Sequence, residues 1–327
     1  MTTGSRCLVL GGKGFLGSHL VDALLLQGNF VRVFDRPRTD FLEGACTSHE
    51  NLEIVEGDFA SESDVADAVV GCDVCFHLVC TTLPKSSNLD PVFDIETNLI
   101  GTVRLLNHAL RAGIKKLIFL SSGGTVYGPP LELPISEAHP TNPICSYGVT
   151  KLAIEKYLGV FQQLYGLDYM TLRVSNLYGE RQRILSSQGA VAVFLGRALN
   201  GEKVEIWGDG SIVRDYIHVS DAVGALLAAL NGSGDERVLN IGSGRGITLN
   251  EVVAAIGCAM GTEVERVHVT KRSFDVPANV LAIERAKRVL GWEPRISFAD
   301  GLKRTLGWLE RQKKLERQKS ASSSSRI

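Results

Sequence analysis

Short apolar runs alternate with helical periodicity through the first half of the chain, the pattern of a parallel sheet covered by helices. CLVL (7–10), FVRVFD (30–35), LEIVEG (52–57), DVCFHLV (73–79), KLIFLSS (116–122) and DYMTLRV (168–174) read as strands. Helices fit between them at roughly 15–27, 62–70, 91–112 and 146–165. The strand runs are continuously apolar rather than alternating, which predicts burial on both faces. After residue 175 the pattern loosens. The loop-rich LYGERQRILSSQG leads to a helix near 190–199 and then to VEIWGDGSIVRDYIHV. A helix at 220–230 and RVLNIG (237–242) read as returns to the main sheet, and helices near 249–260, 283–290 and 299–316 as a smaller lobe.

The predicted fold is α/β, a Rossmann-type doubly wound parallel sheet with a smaller α/β substrate-binding lobe. The sheet domain takes residues 1–176 and about 217–242, and the lobe about 177–216 and 243–311. The polar, low-complexity end, residues 312–327, is expected to be disordered. In such sheets ligands sit beyond the carboxyl ends of the strands, so the cleft between the two parts is the expected site.

Composition narrows the function classes. A formal net charge of −1 over 327 residues gives no field to recruit nucleic acid or an anionic membrane. No window approaches a membrane span, and the start lacks a signal-peptide pattern, so the expected location is cytoplasmic. Seven cysteines at scattered positions argue for reduced thiols. Cys72, Cys75, His77 and Cys80 include a C-x-x-C spacing. The alternating side chains of a buried strand cannot converge on one ion, and no metal is expected.

The chemistry starts at the first strand. CLVL is followed by GGKGFLG and a helix, so Gly11, Gly14 and Gly17 form G-x-x-G-x-x-G in strand–turn–helix context. Such glycines permit a tight turn, backbone approach to a pyrophosphate and close helix–strand packing, with Phe15 and Leu16 opening the helix. Its N-terminus presents free N–H groups to the phosphates. Asp35 ends the second strand, 18 residues after Gly17, where a carboxylate accepts from ribose hydroxyls and repels a 2′-phosphate. The neighbouring Arg36 could accommodate that phosphate, yet Asp35 favours NAD. Asp58, after the third strand, is placed to meet the adenine. Farther on, Ser146-Tyr147-Gly148-Val149-Thr150-Lys151 opens a predicted helix, with Tyr147 and Lys151 on one face. A nearby lysine and a positive nicotinamide would both favour the phenolate and make Tyr147 a base.

On these motifs the chain resembles the extended short-chain dehydrogenases, UDP-galactose 4-epimerase and its relatives in particular, over about residues 5–311. The resemblance adds Asn98 in ETNLIGT, Phe59, Leu78 and Ser121 to the cofactor set. It makes SSGGTVYG (121–128) the loop of the catalytic hydroxyl, with Ser122 and Thr125 as candidates. It implies that Asn176, Arg214, Arg272 and Asp275 hold the sugar diphosphate and its ribose, two arginines suiting a doubly charged group. Asn279, four residues after Asp275, would line the pocket beside the sugar's C2 substituent, unless it caps the helix beginning near 281. A homodimer paired through the helices of Asn98 and Tyr147 is implied as well.

One departure stands out. The family's serine or threonine lies three residues before the valine of V-Y-G, and here that residue is Gly123. The related 4,6-dehydratases carry T-D-E in this loop, whereas Gly123, Gly124 and Thr125 offer no carboxylate. Epimerisation needs one base and reversible oxidation only. The expected activity is therefore inversion at C4 of a UDP-hexose or UDP-N-acetylhexosamine, with NAD retained between turnovers. The alternatives are a one-way nucleotide-sugar reductase or dehydrogenase and a non-catalytic NAD-binding regulator.

Overall fold

The apolar runs of the first half pair side by side. The computed structural model describes residues 4–37, 39–184, 189–232, 234–270 and 276–324. In it, seven strands form one sheet in the order Val238–Ile241, Asp168–Val174, Lys116–Ser122, Val74–His77, Arg6–Leu10, Phe30–Asp35, Leu52–Glu56. Every neighbouring pair is parallel. The order reverses between Arg6–Leu10 and Val74–His77, so the crevice beyond Leu10 and His77 is a topological switch point.

Successive residues on these strands serve opposite cores. Cys7, Val9, Val31, Val33, Phe76 and Ile118 pack on one face with the helices Phe15–Leu26 and Val219–Asn231. Leu8, Leu10, Phe34, Cys75, Leu117 and Phe119 pack on the other with Glu62–Val69, Gly101–Ala112 and Ser146–Tyr165. This two-sided burial is why the runs lack alternation.

The span 91–112 is not one regular helix. Pro91–Asp94 is α-helical, Ile95–Ile100 is a π-helical turn, and Gly101–Ala112 resumes the α-helix. Thr97 and Thr102 donate to the carbonyls of Phe93 and Asn98. Such bulges mark functional sites in many helices.

The lobe is built on Val213–His218, which pairs antiparallel with Gly246–Thr248 and parallel with Asn176–Tyr178 and Ala278–Asn279. Its own core gathers Tyr178, Phe194, Leu195, Tyr216, Ile256 and Leu306. The C-terminal segment differs from the expected disordered tail. The helix Phe298–Ser324 continues well past residue 312. Its run of Leu, Arg, Gln, Lys and Glu consists of good helix formers, and Lys313 Nζ donates to the Leu199 carbonyl at 2.8 Å. Among the described residues, no helix is long and apolar enough to cross a membrane.

Candidate functional site

The glycine turn closes on backbone. Gly11 has φ +83°, and its N–H donates to the Phe34 carbonyl at 2.8 Å, tying the turn to the next strand. A Cβ at Gly17 would lie 2.1 Å from the Gly11 carbonyl oxygen. Gly14 is the N-cap of Phe15–Leu26 with no side-chain cap, and the first turn carries no acidic residue. Backbone donors and the positive end of the helix dipole are thus left to a ligand, which fits a pyrophosphate. Leu16 is buried and Phe15 half-buried behind them.

Asp35 is fixed at the turn's edge: one carboxylate oxygen accepts from Lys13 N–H and the other from Arg36 N–H, both at 2.9 Å. The Arg36 side chain is exposed. Lys13, which the motif reading passed over, buries its side chain and pairs with Glu56 at 2.8 Å. Asp58 is exposed and caps Ala60 N–H, while the Phe59 ring packs inward against His77 at 5.0 Å. Across the switch point Leu78 is half-buried, and a Cβ at Gly11 would lie 3.3 Å from Val79 Cγ2. Asn98 is buried with its amide fully engaged. It accepts from Thr81 N–H and donates to Asp94 and to Thr82 Oγ1. It shapes the loop after the fourth strand rather than offering its amide to the cleft.

The helix Ser146–Tyr165 is capped from outside. Its Cys145 N-cap supplies no side-chain bond, and instead Asn88 Oδ1 accepts from Ser146 N–H and Ser87 Oγ from Tyr147 N–H. The Tyr147 ring is half-buried, and the Ser122 hydroxyl lies near enough to its phenol to favour the ionised form. Thr125 Oγ1 is buried with no partner among the described residues. Of the two candidate hydroxyls, Ser122 is the one that bears on the charge of Tyr147. Ser121 points the other way and donates to Glu155 at 2.5 Å, which in turn holds Arg173 at 2.6 Å.

Lys151 Nζ donates to the Leu120 carbonyl at 2.9 Å and lies 5.7 Å from the Tyr147 ring centre. Burial, first, and then the Cys80, Cys145 and Asp94 groups push the Tyr147 phenol well above its ordinary range, while the Ser122 hydroxyl pulls it down. Burial chiefly lowers the lysine's own pKa, opposed by Cys80, Asp94 and Glu155.

In the lobe, Asn176 Nδ2 donates to the Asp215 carbonyl at 3.1 Å, and Arg214 Nη1 to the Val213 carbonyl at 2.9 Å. Asp215 is wholly buried and accepts from Ser175, Ser243, Gly244 and Leu281. Arg272 and Asp275 lie outside the described residues. Asn279 stands in register with Arg214, is 1% exposed, and donates Nδ2 to the Gly123 carbonyl at 3.0 Å. It is no helix cap, because the next helix is Glu284–Leu290 with Ile283 as its N-cap.

Residues 7–242 match the NAD dependent epimerase/dehydratase family. The chain belongs to that family. It is 38% identical over 306 residues to UDP-glucose 4-epimerase of Mycolicibacterium smegmatis, an alignment spanning 92% of this chain and 97% of the relative. The crystal structure of Thermotoga maritima UDP-glucose 4-epimerase with UDP-glucose superposes with a TM-score of 0.87 at 38% identity, covering 94% of this chain and 99% of that one. The Methanobrevibacter ruminantium UDP-N-acetylglucosamine 4-epimerase, solved with UDP-N-acetylmuramic acid, gives 0.89 at 29%, covering 95% and 100%.

For this epimerase/dehydratase member the departure at Gly123 has a steric cause. A Cβ there would lie 2.5 Å from Leu281 Cδ1 and 3.1 Å from the Arg173 carbonyl oxygen. Leu281 is fully buried and fills the space of a side chain at 123. Sequence reasoning missed Leu281, Lys13, Glu155 and Asp94. The first three lie under the site, and Asp94 carried no motif.

Proposed function

We propose that this protein inverts C4 of a UDP-hexose or UDP-N-acetylhexosamine through a transient 4-keto sugar, using NAD that stays bound. The observation that carries the reading is Tyr147 and Lys151 on one helix, the Lys151 ammonium 5.7 Å from the Tyr147 ring centre, beside a loop that offers the Ser122 hydroxyl and no carboxylate at 123–125. Tyr147, ionised, takes the proton of the sugar's 4-hydroxyl and later returns it. Ser122 steadies the phenolate, and its hydroxyl is within reach of the same sugar oxygen. Lys151 spends one N–H on Leu120 and keeps two donors for the nicotinamide ribose. When bound, NAD supplies the reversible acceptor for the C4 hydrogen and its electron pair, together with a positive ring charge that favours the phenolate. Gly11, Gly14, Gly17 and Asp35 hold its pyrophosphate and ribose. Asn176, Arg214, Arg272 and Asp275 hold the sugar's diphosphate end. Purified protein given UDP-glucose, UDP-galactose or their N-acetyl counterparts, without added NAD, should interconvert the C4 epimers. One-way conversion that consumes reduced cofactor mole for mole would assign a reductase instead.

The base must be ionised to act, so a raised Tyr147 pKa places the acid limb of kcat toward alkaline pH. Ser122→Ala removes the hydroxyl that favours the phenolate. We expect that limb to move to higher pH and kcat to fall about tenfold, the cost of a lost hydrogen bond to a charged group. Thr125→Val should leave both nearly unchanged. The reverse ranking would reassign the hydroxyl.

Asn279 is read as the residue beside the C2 substituent. Its buried Oδ1 has no partner among the described residues and can accept from an acetamido N–H. Asn279→Tyr should lower kcat/KM for N-acetylated sugars about tenfold more than for plain hexoses, as overfilling rejects the bulkier ligand. Equal losses, or wild-type protein inert on UDP-N-acetylglucosamine, overturn that assignment.

A homodimer accompanies this reading. Phe93 and Ile100 in the segment that carries Asn98, and Val149, Tyr157, Val160 and Leu164 on the helix that carries Tyr147, are exposed apolar side chains. Exposed apolar side chains on both elements suit an interface. Sedimentation equilibrium should return twice the chain mass, and a single-chain mass would exclude the dimer.

A further inference from the structure

Asp94 is a buried carboxylate that no step above uses. Its side chain is 1% exposed, and among the described residues no lysine or arginine pairs with it. Four donors from three elements converge on it instead. Oδ1 accepts from Thr82 Oγ1 at 2.5 Å and from Asn98 Nδ2 at 3.0 Å. Oδ2 accepts from Ser146 Oγ and from Thr150 Oγ1, each at 2.8 Å. A buried charge with no cation is costly unless its oxygens are saturated by donors, so this arrangement holds only when all the elements are docked. The two oxygens divide the partners by function. One faces the loop after the fourth strand and the π-helical turn, whereas the other faces the first turns of the catalytic helix. Ser146 and Thr150 directly precede Tyr147 and Lys151, so holding both fixes the rotation and the height of that helix.

We propose that Asp94 is a positioning residue: its carboxylate locks the turns that present Tyr147 and Lys151 onto the loop that carries Thr81 and Thr82 and onto the π-helical turn that carries Asn98. The inference rests on the reading of Tyr147 as the base. It predicts that breaking the clamp is felt in turnover rather than in substrate binding, because the sugar diphosphate is held by the lobe. Misplacement of a reacting group by about 1 Å can cost on the order of 100-fold.

The test compares Asp94→Ala, Asp94→Asn and Thr150→Val in the full chain, with kcat normalised to bound NAD. An amide at 94 can rebuild the clamp. Its oxygen faces Asn98 and Thr82, and its NH2 faces the Ser146 and Thr150 hydroxyls, which can accept. Asp94→Ala should lower kcat about 10–100-fold, with KM for the UDP-sugar changed less than about twofold, and Asp94→Asn should recover most of the loss. Thr150→Val, which removes one arm, should lower kcat with KM unchanged and decides the matter if Asp94→Ala does not fold. Normal kcat per NAD-loaded molecule, even with a lowered melting temperature, overturns the inference. So does Asp94→Asn as slow as Asp94→Ala. If Tyr147→Phe abolishes turnover and these variants do not, the clamp fails while the base assignment stands.

Discussion

Tyr147→Phe is expected to lower kcat by about 10²–10⁴-fold, the range for removing a general base, with KM for the UDP-sugar nearly unchanged. The substitution keeps the ring and deletes one oxygen, so helix packing and the Tyr147 N–H bond to Ser87 remain. What disappears is the proton acceptor, a loss made in the transition state rather than in the ground-state complex, which is why kcat carries it. No neighbour replaces it. Lys151 turns its ammonium to the Leu120 carbonyl, and the Ser122 hydroxyl has an intrinsic pKa far too high to serve alone. Steady-state rates of the variant, loaded with NAD to the wild-type level, check this. A kcat within severalfold of wild type would remove Tyr147 from the mechanism.

The second large effect falls on the cofactor. Gly17→Ala should yield a protein that purifies with little NAD and melts at a lower temperature. The new Cβ meets the Gly11 carbonyl oxygen at 2.1 Å, the Gly12 Cα at 2.8 Å and the Gly11 carbonyl carbon at 2.9 Å. All three are backbone atoms, so no rotamer change relieves the clash. The helix Phe15–Leu26 must lift from the strand Arg6–Leu10, and overpacking of this kind costs about 1–3 kcal/mol. Lifting that helix also spoils the aim of the uncapped N–H groups left by Gly14, where the pyrophosphate binds. NAD released per chain on denaturation measures the outcome. Full occupancy with an unchanged melting temperature would contradict the close helix–strand contact.

The central sheet was legible because its strands are buried on both faces, and unbroken apolar runs leave little doubt about their limits. The glycine turn at Gly11 and Gly17, and Tyr147 and Lys151 on one helix, were legible because residue type and spacing mark them. What stayed hidden depends on side chains meeting across distant elements. Asp94 reaches Ser146 and Thr150 more than fifty residues away, and nothing at either end signals the contact. Nor could sequence show that the Thr125 hydroxyl is buried without a partner among the described residues. The reason for Gly123 lay in Leu281. The helix beyond residue 312 was obscured by a polar composition that suits both a solvated helix and a disordered tail. Spacing placed Lys151 on the face of Tyr147 but could not show its ammonium bound to the Leu120 carbonyl.

The central claim is inversion at C4 by removal and return of the same hydrogen. It is tested most directly with UDP-galactose and UDP-N-acetylgalactosamine carrying deuterium at C4, incubated with purified protein in ordinary water without added NAD. The account predicts the gluco-configured epimer of at least one substrate, approaching a fixed equilibrium ratio with deuterium still at C4. Loss of the label to water, or conversion that stops at the amount of cofactor supplied, would contradict it.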